Sequence, residues 1–360
     1  MSGTSLDGID VALLSTDGEA VVERGPSRTF PYQPDQQAML RDALEEAKSL
    51  TDRNARPGIL AEAERELTEW HSLAVESFCE LAGITPSEID LIGFHGQTVI
   101  HRPEIALTVQ LGDGKTLARR TGRPVIYDMR AADVAAGGQG APLVPVYHRA
   151  LAAAIAERPV AFVNIGGVAN MTWIGADDDL IAFDTGPGNA LLNDWCERHL
   201  DEALDRDGAL AARGVLDSEA FMKLALNSYF EQPVPKSLDR NTFSTGALEG
   251  LSPEDGAATL VHFTATSIAR GVGHVPERPA LYVICGGGRH NPVMMREIRG
   301  LLEPLGEKVV TAEDIGLNGD SMEAEAWAYL AVRCLNGLPI TFPGTTGVTQ
   351  PMTGGVAALP

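Results

Sequence analysis

Residues 183–189 read FDTGPGN, directly after the apolar run LIA and directly before the helix-like ALLNDWCERHL. That order places the carboxylate of Asp184 at the tip of a buried strand, facing whatever ligand lies beyond it. The glycines that follow let backbone come close to that ligand, because no Cβ intervenes. Three further glycine turns stand beside strand-like runs: MSGTSLDGIDVALLS, NIGGVANMTWIG and LYVICGGGRHNPVMMREI. Backbone N–H groups in such turns, with Ser or Thr hydroxyls beside them, form concave sites for phosphate oxygens. Each turn alone is weak evidence, but three at strand ends, two of them hairpins, point to two related halves closing on a nucleotide.

The patterns of rival chemistries are missing. No GxxxxGK[ST] motif exists, which excludes a P-loop enzyme. GGVANM lacks the G-x-G-x-x-G spacing and helix start of a dinucleotide fold. GFHGQT carries neither a serine nucleophile nor a G-x-S-x-G elbow. The four cysteines, Cys79, Cys196, Cys285 and Cys334, are widely spaced with no CxxC pairing, and read as reduced core residues.

These residues need a scaffold, and the pattern supplies one. Strand-like runs at 11–15, 90–95, 107–111, 125–129, 160–165, 171–174, 180–184, 281–285 and 309–311 alternate with helical periodicity. Helices are expected at 57–82, after Ser252 as N-cap with Asp255 completing a capping box, after Asn291-Pro292, and from Asp320 to Gly337. Alternation of this kind predicts an α/β protein. At 360 residues the chain predicts two domains, and its 44% apolar and 21% charged residues are ordinary for a soluble protein. A net charge of -21 disfavours nucleic acid and anionic membranes as partners. The opening MSGTSLDG shows no secretory signal and no apolar run reaches membrane-spanning length, so a cytoplasmic protein is expected. The polar stretch 231–249 reads either as a functional cleft loop or as a surface excursion.

Together, SGTSLDGID, GFHGQTVIHRP, YDMRAADVAAGGQGAPLVP, NIGGVANMTWI, FDTGPGN, CGGGRHNPV and GDSMEAEAWAYLA resemble the 1,6-anhydro-N-acetylmuramic acid kinase family. The likeness runs nearly the whole chain in the family's order. It implies a two-domain actin-like ATPase (ribonuclease H-like) fold with an interdomain cleft, divided into 1–135 plus 336–360 and 136–335. It also implies conversion of the anhydro sugar, ATP and water into N-acetylmuramic acid 6-phosphate and ADP, in peptidoglycan recycling. The rivals are a related kinase for another sugar or acid, and a non-catalytic nucleotide-switched relative. Family members carry apolar residues ahead of the MSGTS turn, so half of a central strand either lies upstream of Met1 or is dispensed with. Met129 stands where an aromatic is usual, a core-type exchange.

The resemblance assigns roles residue by residue. Asp184 matches the catalytic carboxylate, the base that takes a proton from water attacking C1. Gly3, Thr4, Ser5, Leu6, Asp7, Gly8, Ile9 and Asp10 form the first phosphate hairpin. Asn164, Gly166, Gly167 and Asn170 form the second, and Gly286, Gly287, Gly288 and Asn291 lie against adenosine. Asp7 or Asp10 holds Mg²⁺ through water, while the other caps the turn. On the sugar side stand His95, Gln97, Thr98, Arg130, Thr185, Gly186 and Glu323. Arg130 either clamps a carboxylate or phosphate, or pairs with Asp128 or Asp133. His95 is either a sugar donor or a satisfied core histidine. Glu323 either contacts sugar or complements a helix dipole. Trp195 and Trp327 read as core. The expected partners are small molecules, and a homodimer is left open.

Overall fold

A computed structural model describes residues 1–3, 5–238 and 242–360; Thr4, one of the expected phosphate-binding residues, lies outside the described residues. The chain separates into two compact units, Met1–Leu151 with Ser321–Pro360, and Ala152–Asp320. The first unit opens on the antiparallel ribbon β1 (Gly8–Thr16) and β2 (Val22–Pro31). Helices α1 (Pro34–Ala47) and α2 (Leu60–Ala82) follow, then β3 (Ile92–Phe94) and the hairpin β4 (Gln97–Arg102) and β5 (Leu107–Leu111). Next come α3 (Gly114–Thr121), β6 (Val125–Tyr127), α4 (Ala131–Ala135) and α5 (Pro145–Ala152). Leu40, Leu60 and Leu67 of the two long helices pack with Val109 and Leu111 to form this unit's core.

The second unit is built on one five-stranded sheet. Its strands are β7 (Val160–Ile165), β8 (Val168–Ile174), β9 (Leu180–Pro187), β10 (Leu281–Cys285) and β11 (Lys308–Thr311), in the order β11-β10-β7-β8-β9. β7 to β9 form an antiparallel meander, and β10 runs parallel to both β7 and β11. This is the ribonuclease H-like arrangement of actin-like ATPases. VAFVNI and LYVIC are apolar almost throughout because both inner strands are buried along nearly their whole length, and helices pack on the face that carries Ala161, Val163, Tyr282 and Ile284. Those helices are α6 (Ala190–Leu200), α7 (Ser218–Ala225), α8 (Pro253–Arg270) and α9 (Pro292–Leu302).

The chain then returns to the first unit through α10 (Met322–Leu335), α11 (Pro343–Thr346) and β12 (Val356–Ala358), which pairs antiparallel with β6. The units therefore divide after 151 and 320 rather than after 135 and 335. The reason is α10, which packs on β1 and β3. Gly93 of β3 permits this: a Cβ there would stand 2.2 Å from the Trp327 carbonyl oxygen of α10.

Two local expectations change. Asp184 is not at the tip of its strand, because β8 starts early at Val168 and pairs with β9 as far as Pro187. Thr185 is bulged out between the Asn170–Asp184 and Ala169–Gly186 pairs. The proline is tolerated because β9 is an edge strand. At α8, Ser252 accepts the Asp255 N–H as expected, but the Asp255 carboxylate takes the Val215 N–H instead of closing a capping box.

Trp195 of α6 donates its indole N–H to the Pro253 carbonyl, and its ring packs against Gly256 in the first turn of α8. A Cβ at Gly256 would come within 2.2 Å of Trp195 Cζ2. Gly256→Ala gains about 1 kcal/mol of helix propensity but overpacks a filled core at about 1–3 kcal/mol. We expect net destabilisation, read as a lower urea midpoint; a variant more stable than the parent would contradict this packing.

Candidate active site

Asp184 is half-buried in β9 and gripped from one side by the segment 229–238. Leu238 donates its N–H to Asp184 Oδ2 at 2.7 Å, and the Tyr229 hydroxyl donates to the Asp184 carbonyl at 2.6 Å. The Asp184 N–H in turn donates to the Lys236 carbonyl at 3.0 Å. Burial pushes the carboxyl up to about 6, opposed only by the Leu238 N–H. At neutral pH it is thus an ionised carboxylate whose affinity for a proton is close to matched to the surroundings, which suits a general base. Its expected neighbours are used internally. The Thr185 hydroxyl bonds the Ala169 carbonyl, and Gly186 packs 2.8 Å, measured from an ideal Cβ, against Ser267.

The second unit also gathers the glycines. Asn164 and Asn170 face each other across β7 and β8, with Gly166 and Gly167 as the connecting turn. β10 lies parallel beside β7, so Gly286–Gly288 leave from the same carboxyl edge of the sheet. Ligands of open α/β sheets bind outside that edge. The Gly166 and Gly167 carbonyls accept N–H groups from Gly188, Asn189 and Ala190. The Asn189 side chain also donates to the Ile165 carbonyl.

The glycines fall into two kinds. A Cβ at Gly8, Gly188, Gly286 or Gly288 would come within 2.6 Å of protein atoms, so these are fixed by internal packing. At Gly3, Gly166, Gly167 and Gly287 nothing approaches an ideal Cβ closer than 3.5 Å. Their Cβ sides are not closely packed against other protein atoms. The Asn291 Oδ1 caps α9 by accepting the Val293 and Met294 N–H groups. Beside these loops lies an open pocket of about 570 Å³ lined by Arg289, Thr311, Glu313, Asn318 and Asp320 among others. Arg289 is locked there by Glu313, Asp320 and the Gly286 carbonyl.

In the first unit, Ser2 bridges to Ile9 and so closes the turn that precedes β1. Ser5 donates its hydroxyl to Asp7, and Thr29 donates to Asp10. Leu6 is buried in the core rather than lining the turn, with positive φ at 56°. Arg130 pairs with neither Asp128 nor Asp133 by direct hydrogen bond. It donates to the Gly140 carbonyl at 2.9 Å and to His95 Nε2 at 3.2 Å, and lies over the Trp327 ring. Asp128 instead bonds Arg53, while Asp133 accepts from Gly140 and Thr346.

His95 Nδ1 faces the Ser2 carbonyl at 2.8 Å, which can only accept, so Nδ1 carries the proton and Nε2 receives the Arg130 donor. Burial and Arg130 hold this histidine well below its usual range, hence neutral. Both nitrogens are engaged, so His95 orients Arg130 rather than offering a free donor. Gln97 is fully buried, and its Oε1 has no partner among the described residues. Thr98 pairs in register with Gln110. Glu323 is exposed at its surface, yet the surrounding chain and nearby Asp10 and Asp7 push its carboxyl up, and Arg130 holds it down. One arginine and three carboxylates thus share a neighbourhood at the start of β1 and α10.

Hard oxygen donors at Asp7 and Asp10 fit Mg²⁺ of the kind held by one or two carboxylates with water and phosphates. No cluster of three or more candidate metal ligands occurs among the described residues. No helix among the described residues is long and apolar enough to cross a membrane. Sequence reading missed Tyr229, Lys236 and Leu238, the residues that hold Asp184, and Asn189, which ties down the second turn. The lone lysine in PVPKSL was the available signal.

A family profile described as anhydro-N-acetylmuramic acid kinase matches residues 1–359. The chain is 52% identical over 362 residues to the protein so named from Rhizobium johnstonii, covering 100% of this chain and 97% of that one. It is 54% identical over 363 residues to the protein so named from Bradyrhizobium diazoefficiens, covering 100% and 98%. Among solved structures it is similar to the activator of the 2-hydroxyisocaproyl-CoA dehydratase from Clostridium difficile with bound ADPNP, with a TM-score of 0.44, 10% identity, and coverage of 90% and 94%. The chain belongs to the anhydro-N-acetylmuramic acid kinase family.

Proposed function

We propose that this protein phosphorylates 1,6-anhydro-N-acetylmuramic acid with ATP while water opens the anhydro ring, a cytoplasmic step of peptidoglycan recycling. The observation that carries the reading is Asp184: a carboxylate pushed up to about 6 in a strand flanked by open glycine turns. Water adds its oxygen to C1 and gives a proton to Asp184. The C1–O6 bond breaks, and O6 takes the γ-phosphoryl group as ADP departs. The proton on Asp184 is then released to solvent. Attack opposite the bridge gives the α-anomer first.

Backbone N–H groups at Gly3, Gly166, Gly167 and Gly287 hold phosphate oxygens, and the pocket beside Arg289 takes the nucleoside. Arg130, aimed by His95, binds the lactyl carboxylate of the sugar, and Glu323 bonds its polar groups. Mg²⁺, held through water by Asp7 or Asp10, supplies charge neutralisation at the phosphates when bound. The direct test is ADP release with ATP, Mg²⁺ and a sugar panel. Release is expected with the anhydro sugar; release with free N-acetylmuramic acid alone would overturn the assignment.

Asp184→Asn keeps shape and removes the base. Turnover should fall by ~10²-fold or more with nucleotide binding nearly intact. Near-normal turnover would remove Asp184 from the chemistry. A second consequence concerns stability. The folded carboxyl titrates near 6 and the unfolded one near 3.8, so burial costs nothing below the lower value and its full amount above the upper. Asp184→Asn should therefore raise the unfolding free energy at pH 8, by on the order of 1–3 kcal/mol, and leave it unchanged at pH 3.5. A pH-independent difference would contradict the shift.

The two kinds of glycine predict opposite behaviour. Gly166→Ala and Gly287→Ala should change stability by only about 0.5 kcal/mol yet raise KM for ATP by ~10-fold or more. Gly288→Ala, whose Cβ would stand 2.3 Å from Ile165, should lower the melting temperature first. Unchanged KM in the first pair would exclude those turns from nucleotide binding.

A further inference from the structure

Lys236 is a buried ammonium on the segment that grips Asp184, and nothing in the reaction as described uses it. It is only 7% exposed. Its Nζ donates to the Tyr229 carbonyl at 3.1 Å and reaches the Phe230 carbonyl at 3.4 Å. It meets His274 Nε2 at 3.1 Å and lies 4.6 Å from the centroid of the Tyr229 ring. The same segment makes all three of the bonds to Asp184 described above, through Tyr229, Lys236 and Leu238. The ammonium therefore ties Lys236, next but one to the donor Leu238, back to Tyr229 and Phe230 at the other end of the strap.

We propose that Lys236 is a positioning residue, whose protonated side chain fastens the strap 229–238 and so keeps the Leu238 N–H on Asp184. The inference rests on Asp184 being the base. Charged and titratable groups facing the ammonium among the described residues are Tyr229 of the strap, Arg270 at the end of α8, and His274 in the turn after it. Arg270 stacks on Phe230, closing the outer side. His274 Nε2 also lies 3.0 Å from the Phe230 carbonyl, which can only accept, so Nε2 carries the proton of a neutral ring that joins Lys236 at the same end of the strap; burial, Lys236 and Arg270 hold it below its usual range. Burial, aided by Arg270, pulls Lys236 down to about 8. Below that value the strap is fastened, and above it the ammonium is lost and the clip loosens. The Leu238 bond lowers the affinity of Asp184 for a proton, so losing it must shift the acid limb of activity to higher pH.

The experiment is kcat/KM for the anhydro sugar from pH 5 to 9.5 in the parent, Lys236→Met and Lys236→Arg, with a thermal melt of each. The parent should rise through about 6 and fall through about 8. Lys236→Met should lose ~10-fold or more and move the acid limb up by about one unit, with KM for ATP unchanged. Lys236→Arg, whose guanidinium stays charged across the range, should keep the acid limb and lose the alkaline fall. An unmoved acid limb in folded Lys236→Met, or a retained fall near 8 in Lys236→Arg, overturns the proposal. If Lys236→Met does not fold, the arginine variant decides alone. A parent without any acid limb, together with an active Asp184→Asn, would instead defeat the reading of Asp184 as base.

Discussion

A carboxylate that must be desolvated and still ionise near neutral pH constrains everything around it. Burial by itself can drive a carboxyl up by several units, and a full set of N–H donors can drive it below the ordinary range. Asp184 receives burial and one N–H, and the outcome is about 6. That balance requires β9 to run past the aspartate rather than stop at it, and it requires a donor brought from 54 residues downstream. The donor is held because Tyr229 and Phe230 sit in an aromatic cluster with Phe243 and Phe263. Core packing thus fixes the strap, and the strap fixes the proton affinity.

The first unit solves a different problem, the handling of charge. Arg130 is half-buried among Trp327, His95 and the Gly140 carbonyl, and bonds neither Asp128 nor Asp133 directly. A neutral histidine is the right neighbour for it, since an imidazolium would repel the guanidinium. The tautomer that permits this is set by the Ser2 carbonyl, at the very start of the turn that carries Ser5 and Asp7. The turn and the arginine are therefore coupled through one imidazole ring. Glu323, raised by the chain around it and by Asp10 and Asp7 and lowered by Arg130, completes a neighbourhood in which each charge conditions the next.

Much of the sheet was legible because it obeys simple patterns. Inner strands buried on both faces read as apolar runs, and Ser252 and Asn291 mark helix starts that the structure keeps. The three glycine turns were visible as motifs, but which glycines face outward was not. That depends on what packs behind each one, as Ile165 does at Gly288. The Asp184 strand read too short because glycine, proline and threonine look like a turn, whereas pairing to Val168 and Ala169 carries them on. The two readings of His95, donor to sugar or satisfied core histidine, could not be separated in the sequence, because Ser2 and Arg130, which occupy both nitrogens, are distant along the chain. Partners 35 and 93 residues away in sequence leave no local trace of such bonds.

The central claim is that Asp184 activates water at C1 while O6, not water, receives the phosphoryl group. Turnover in ¹⁸O-labelled water, followed by mass analysis of the sugar phosphate, reads both destinations at once. The account predicts label at C1 of N-acetylmuramic acid 6-phosphate and none in its phosphate. Label in the phosphate, with an unlabelled C1, would mean that water attacks phosphorus and would contradict it.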